Sequence, residues 1–166
     1  MDTMNSSILL KQLPAQIITP ESFQLYGQVI TASVDGKTYD QTDAQLNLKN
    51  GVPRFYIMRL ENRGRKFHTI TRHNQCTQCL GSLEGKEWLI AVAPPNEASE
   101  PDLEKMMAFR IPGSCFIKLD VGTWHAGPYF DHTVVDFYNL ELSDTNAVDH
   151  FTHNFRTRQH LEFEIL

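Results

Sequence analysis

Apolar positions in this chain cluster in short runs, with polar or turn-forming residues between them. Pro53 to Leu60 mixes aromatic and branched residues, and Glu87 to Ala93 is almost wholly apolar. Met106 to Ile111, Cys115 to Leu119 and the longer Thr133 to Leu142 repeat the theme. Runs of this length and composition predict strands. Lys66 to His73 alternates, with Phe67, Thr69 and Thr71 on one side and His68, Ile70 and Arg72 on the other, the period of a strand. Cys79 to Leu83 is another short strand. Glu84-Gly85, Pro94-Pro95 and Pro112-Gly113 supply the breaks. Thr19 to Gly27 predicts a short helix, with Thr19 as cap, Pro20 first, Glu21 near the positive end and Gly27 as the stop. A strand at Gln28 to Thr31 follows. Pro101 to Lys105 predicts one helical turn, Val34 to Gln45 a loop, and residues 1–12 a loose terminal segment. Many short strands without interleaved helices predict an all-β sandwich or barrel and argue against a parallel α/β sheet.

The 166 residues suit a single domain, 1–166, able to bury a core without staples. Apolar residues at 41% and charged residues at 21% are ordinary globular usage. The net charge of -5, with no basic stripe, argues against a nucleic-acid partner. No window approaches the ~18 apolar residues a bilayer crossing needs, so no membrane role is expected. Met1 to Leu10 lacks the basic-then-apolar pattern of a signal peptide. Cys76, Cys79 and Cys115 form an odd set, which fits a reducing, cytoplasmic compartment better than a disulfide framework.

Candidate chemistry sits in two stretches, Thr71 to Gly85 and Asp120 to Pro128. Together they resemble the two motifs of the cupin superfamily. His73 matches the second of a histidine pair, Gln78 the carboxylate position, Gly85 a turn glycine, Gly122 the glycine of the second motif and His125 its histidine. The resemblance implies a cupin-type antiparallel β-barrel, a double-stranded β-helix or jelly roll, with one or two short helices. It also implies a divalent metal (Zn, Ni or Mn) on His73, Gln78 and His125. Thr71 replaces the first histidine and Gln78 the carboxylate. Two imidazoles and a neutral amide would bind such an ion weakly.

Thr19 to Ile30, Arg72-His73 with Gln78, Pro101-Asp102-Leu103, Gly122 to His125 and Val135-Asp136-Phe137, in that order, resemble the ureidoglycolate lyase family. That resemblance implies a homodimeric cytoplasmic enzyme of purine and allantoin catabolism, a carbon–nitrogen lyase that splits ureidoglycolate into glyoxylate and urea. Bacterial members often carry a second histidine after the first, where this chain has Ala126-Gly127-Pro128, and Asp136 to His150 looks more like a plant and cyanobacterial branch. The alternative is a cupin that binds or transforms another small polar acid, or a non-catalytic metabolite-binding module.

Cleavage needs a base for the hydroxyl proton and an acid for the urea nitrogen, and histidine suits both. His125 or His73 is the expected base, Gln78 an orienting amide, and Arg54 or Arg72 the carboxylate clamp. Arg72 adjoins His73, so on a regular strand it should point to the opposite face. Asp136 is a candidate for orienting a histidine. Glu87, Trp124 and Tyr138 are candidate pocket residues, and Trp88 and Trp124 could equally fill the core. Cys76 and Cys79 have knuckle spacing but no second pair. His150 and His153 are assigned to a capped turn or loop.

Overall fold

The computed structural model describes residues 7–166. Among the described residues, fourteen strands form three sheets. The five-stranded sheet runs β3 (Gly27–Thr31), β10 (Cys115–Leu119), β7 (Gln78–Ser82), β12 (Val134–Leu142), β4 (Pro53–Glu61). The six-stranded sheet runs β13 (Phe151–Asn154), β6 (Thr69–Arg72), β11 (Trp124–Tyr129), β8 (Trp88–Ala93), β9 (Met107–Ile111), β2 (Ala15–Ile17). A small sheet holds β1 (Leu9–Leu13), β14 (Leu161–Ile165) and β5 (Lys66–Phe67). From β6 to β13 the chain passes back and forth between the two larger sheets, and only β8 and β9 stay in one. Their pairings are antiparallel apart from β2 with β9. This winding is the jelly roll the motifs imply.

The two large sheets enclose one core. Trp88, Ile90 and Val92 of β8 meet Leu80, Ile117, Val135 and Phe137 from the facing sheet. A second core lies on the outer face of the six-stranded sheet, where Leu89, Ala91, Ala93 and Trp124 meet Phe163 of β14 and Phe155 of α2 (Phe155–Gln159). Because both faces of β8 are covered, it reads as an unbroken apolar run instead of an alternating one. Each buried large side chain contributes about 1.5–3 kcal/mol. The Glu84-Gly85 turn has both residues at positive φ, 61° and 67°, the backbone of a tight hairpin turn.

Several expectations change. Lys66 to His73 is two strands, broken at His68, whose carbonyl takes the Phe155 N–H at 2.7 Å. The break shifts the alternation by one residue, so Phe67 and Ile70 both enter the second core. Thr19 to Gly27 is a turn, not a regular helix. Thr19 Oγ1 does accept the Ser22 N–H at 3.0 Å, as a cap would, but the segment ends as soon as Phe23 and Tyr26 have reached the core. Leu103–Lys105 forms the expected helical turn, as a 3₁₀ helix capped by Asp102. Of the expected loose segment, residues 1–6 lie outside the described residues, while Leu9–Leu13 pairs in parallel with β14 and fills its open edge. The turn expected here is the helical turn α1 (Thr145–Val148), and His150 follows it outside any element, whereas His153 lies in β13, which pairs with β6 instead of forming a loop.

Candidate functional site

The strands deliver their polar residues to one end of the barrel. His73 directly follows β6, Gln78 opens β7, and His125 is the second residue of β11. Thr71 is the strand partner of His125, so it occupies the place of the missing histidine, and its hydroxyl is engaged by Thr152 at 3.0 Å. The His73 and His125 rings are 5.1 Å apart, and both are buried, as is Gln78. With Cys76, Leu119, Asp120 and Thr123 they line a tight recess with no room for a water molecule as it stands. Gly122 positions its second wall. At φ +84° it makes a turn that its N–H ties to the His73 carbonyl at 2.7 Å, just before β11 begins.

Asp149 fixes the first wall. Its carboxylate accepts the N–H groups of Asn74 and Gln75, each at 2.8 Å, and its carbonyl accepts His73 Nδ1–H at 2.6 Å. A carbonyl can only accept, so His73 carries its proton on Nδ1 and offers a lone pair at Nε2. His125 donates Nδ1–H to the Thr123 carbonyl at 3.3 Å and takes the same tautomer. Burial lowers the pKa of His73, against the opposing contact with Asp149. Burial, reinforced by His73, drives His125 down to about 3. Two neutral imidazoles therefore stand side by side. His150, exposed, lies 5.7 Å from the His73 ring.

Beyond Gln78 the polar cluster continues. Its amide Nε2 donates to Asn139 Oδ1 at 3.1 Å and to Glu141 Oε2 at 3.3 Å, while its Oε1 is buried without a partner. Asn139 Nδ2 donates to the Tyr56 hydroxyl at 3.2 Å. Burial raises the pKa of Glu141, and the Arg54 charge and bonds from Tyr56 and Asn139 oppose that rise. Arg54, exposed at the rim, lays its guanidinium over the Tyr56 ring at 3.6 Å.

Of the candidates read from the sequence, His73, Gln78, His125 and Arg54 converge on this end of the barrel. Asp136 does not. It faces outward and is held by Arg59 through two bonds of 2.8 and 3.0 Å. Tyr138 is also on the outer face, against the rings of Phe55 and Phe116. Glu87 is paired with Arg110 at 2.5 Å on the surface. Trp124 is in the second core, with Arg72 stacked over it at 4.2 Å. Arg72 thus takes the face opposite His73, as alternation predicts. The same alternation removes Asp136 and Tyr138: Val135 and Phe137 point in, so the neighbours between and after them point out. Counting on from Phe137 would have found Asn139 and Glu141. Tyr56 follows from the same count on β4, whereas no local pattern marks Asp149.

His150 and His153 part company, since His153 is buried in the second core and bonds Gln159 at 2.9 Å. Cys76 lines the recess, while Cys79 faces outward beside Phe116 and Tyr138. Burial raises both thiols, Cys79 to about 11, so neither is poised for redox chemistry.

For a divalent ion the site offers two imidazole Nε2 atoms and one amide oxygen. Among the described residues, no group of three or more His, Cys, Asp or Glu side chains is placed to hold a metal ion. The carboxylates around it are already engaged: Asp149 by the Asn74 and Gln75 N–H groups, Asp120 by Lys118 and Glu141 by the Gln78 amide N–H. This donor set does not fit a tightly held resident metal.

The family model for ureidoglycolate lyase matches residues 10–158. The chain belongs to the ureidoglycolate lyase family. Two solved structures are similar in outline. One is RmlC from Streptococcus suis, in complex with dTDP-D-xylose, with a TM-score of 0.42 and 10% identity over 54% of this chain. That match spans 43% of RmlC, less than half its length. The other is a dTDP sugar isomerase from Desulfovibrio desulfuricans G20, with a TM-score of 0.46 and 11% identity over 78% of this chain and 81% of the isomerase. No curated protein matches the sequence significantly. No helix among the described residues is long and apolar enough to cross a membrane.

Proposed function

We propose that the end of the barrel holding His73 and His125 cleaves ureidoglycolate into glyoxylate and urea. The family match supports the reaction, and one observation carries the site: two buried, neutral imidazoles side by side, with Gln78 of the same recess reaching Glu141, the carboxyl that feels the Arg54 charge. Arg54 binds the substrate carboxylate in the exposed rim. His73 Nε2 takes the hydroxyl proton as the carbon–nitrogen bond breaks, and the oxygen becomes the aldehyde of glyoxylate. The same imidazole returns that proton to the departing urea nitrogen, so the step balances without a further reactant. His73 suits the role better than His125, because a group held near pH 3 is a feeble base at neutral pH. His125 then accepts a hydrogen bond from the substrate and keeps the recess dry. The recess is narrower than the substrate, so its walls part on binding.

Purified protein incubated with ureidoglycolate should release glyoxylate above the spontaneous rate. His73→Gln should lower kcat about 10²–10⁴-fold, the usual worth of a general base, with the unfolding curve preserved. Glyoxylate release no faster than the spontaneous rate would rule the reading out. With the metal fit so poor, a chelator should leave the rate within about twofold of the untreated enzyme.

A homodimer is part of the same proposal. β4 is an edge strand of the five-stranded sheet, and its outer face exposes Phe55 at 70% and Ile57 at 60%. An edge beside an apolar patch is self-complementary about a two-fold axis, so a second copy is the occupant. Sedimentation should show a dimer that Phe55→Glu converts to monomer. The three free cysteines are in keeping with a cytoplasmic location.

A further inference from the structure

Among the described residues, Gln78 is the one side chain shared by the histidine recess and the Asn139–Glu141 cluster. It is 7% exposed, and its Oε1 has no hydrogen-bond partner. A buried acceptor left unmet costs on the order of 1–3 kcal/mol, so a ligand that donates to it recovers that cost. The orientation of the amide is set from behind. A carboxylate oxygen of Glu141 and the amide oxygen of Asn139 are both acceptors, and they draw the –NH2 arm of Gln78 towards themselves. The oxygen arm is thereby turned away from them. Asn139 is itself locked by donating to Tyr56, so it cannot offer its own –NH2 to Gln78 instead.

We infer that Glu141 is a positioning residue for substrate recognition: it holds the Gln78 amide so that Oε1 accepts an N–H from the ureido end of the ligand, and the pair thereby selects for a terminal carbamoyl –NH2. This rests on the reading that the site binds ureidoglycolate, with Arg54 taking the carboxylate. It adds that the opposite end of the molecule is recognised by acceptors. The recognised class is an N-carbamoyl acid, and an N-acyl acid of the same shape is disfavoured because a methyl group cannot donate.

Binding can be tested without turnover. N-carbamoylglycine and N-acetylglycine have the same carboxylate and nearly the same shape, and neither has the hydroxyl needed for cleavage. Calorimetric titration of the wild-type protein should favour N-carbamoylglycine by about tenfold or more, as a buried hydrogen bond provides. Gln78→Met should reduce the preference to less than about threefold by weakening N-carbamoylglycine alone. Glu141→Gln should do the same through Gln78, because an amide at 141 can donate to Gln78 Oε1 and satisfy it internally. A merely structural role for Glu141 would weaken both ligands equally and leave their ratio intact. Equal affinity of the wild type for the two ligands, or an unchanged ratio in Glu141→Gln, overturns the inference. Glyoxylate release without the preference would defeat this inference while the proposed reaction stands. The preference without glyoxylate release would do the reverse.

Discussion

The two ends of the barrel interior are built from the same strands and differ row by row. Across β4 and β12 the strand partners run Arg54 with Glu141, Tyr56 with Asn139, Met58 with Phe137, and Leu60 with Val135. On β7, Gln78 belongs to the polar end and Leu80 to the core. The polar rows stop after Asn139, and the apolar rows start at Phe137. A single strand thus anchors the fold with one half and presents polar side chains with the other, so the candidate groups stand on a rigid base. At the polar end burial lowers His125 to about 3 and raises Glu141, whereas the rows Met58 with Phe137 and Leu60 with Val135 hold no titratable side chain.

The sharpest way to break this contrast is to cut into each end. Phe137 is fully buried and meets Trp88 edge-on at 5.1 Å. Phe137→Ala should cost about 3–5 kcal/mol in urea unfolding, the usual loss for a core aromatic. Asn139→Leu, one row away, should cost about 1–3 kcal/mol, because Gln78 keeps Glu141 as a partner and loses only one acceptor. If the two losses were equal, the division into an anchoring and a working end would not hold.

A functional contrast comes next in size. Arg54→Ala should raise KM about ten- to hundredfold with kcat within a few fold, since a carboxylate clamp binds the ground state and transition state alike. Arg54 is at the exposed rim, so the unfolding curve should not move.

The pH dependence of stability separates the ends more gently. The unfolded chain protonates His125 near the ordinary 6.5, but the folded protein resists down to about 3. Between those values the unfolded state holds more protons, so stability is full above the window and falls as pH drops through it. The slope approaches about 1.4 kcal/mol per pH unit for one such group. His73, lowered in the same direction, adds to it. Glu141 works the other way, because its raised value lets the folded state hold more protons above the ordinary 4.5. Surface carboxylates such as Asp131, lowered from 3.8 by Arg65, act only at lower pH. Urea unfolding from pH 7.5 to pH 5 should show the histidine slope, and His125→Gln should flatten it by one proton's worth.

Much of this architecture can be read in the sequence. Strand runs and turn pairs locate β3, β4, β7, β8, β9, β10 and β12 because each is short, apolar and bounded by glycine, proline or polar residues. What escapes is set by tertiary contacts. β1, β13 and β14 are edge or outer strands whose pairing depends on distant partners. β11 is hidden because Trp124 to Tyr129 includes Gly127 and Pro128, residues that signal a turn. Of the site, the two histidines and Gln78 are legible from motif spacing. Asn139 and Glu141 are legible only if strand parity is carried along β12 from Phe137, a parity that also puts Asp136 on the outer face. Asp149 is not legible at all, since it reaches His73 across 76 residues through a backbone carbonyl.

Asp136 also gives the smallest expected effect, and for that reason a clean control. It differs from Glu141 by an odd number of positions on one strand, so the two carboxylates stand on opposite faces. Arg59 holds its carboxyl below the ordinary 3.8, and its contribution to stability is present above that value and lost as pH falls through the lowered one. The Arg59 side chain is 72% exposed, so solvent and salt screen the pair. Asp136→Asn should therefore leave kcat/KM unchanged and move the thermal midpoint by no more than repeat error at physiological salt. Glu141→Gln should alter the preference between N-carbamoylglycine and N-acetylglycine in the calorimetric titration, and Asp136→Asn should leave it intact. A loss of activity in Asp136→Asn would mean that the outer face of the five-stranded sheet communicates with the barrel interior. The packed rows between them leave no path for that except a shift of β12 itself.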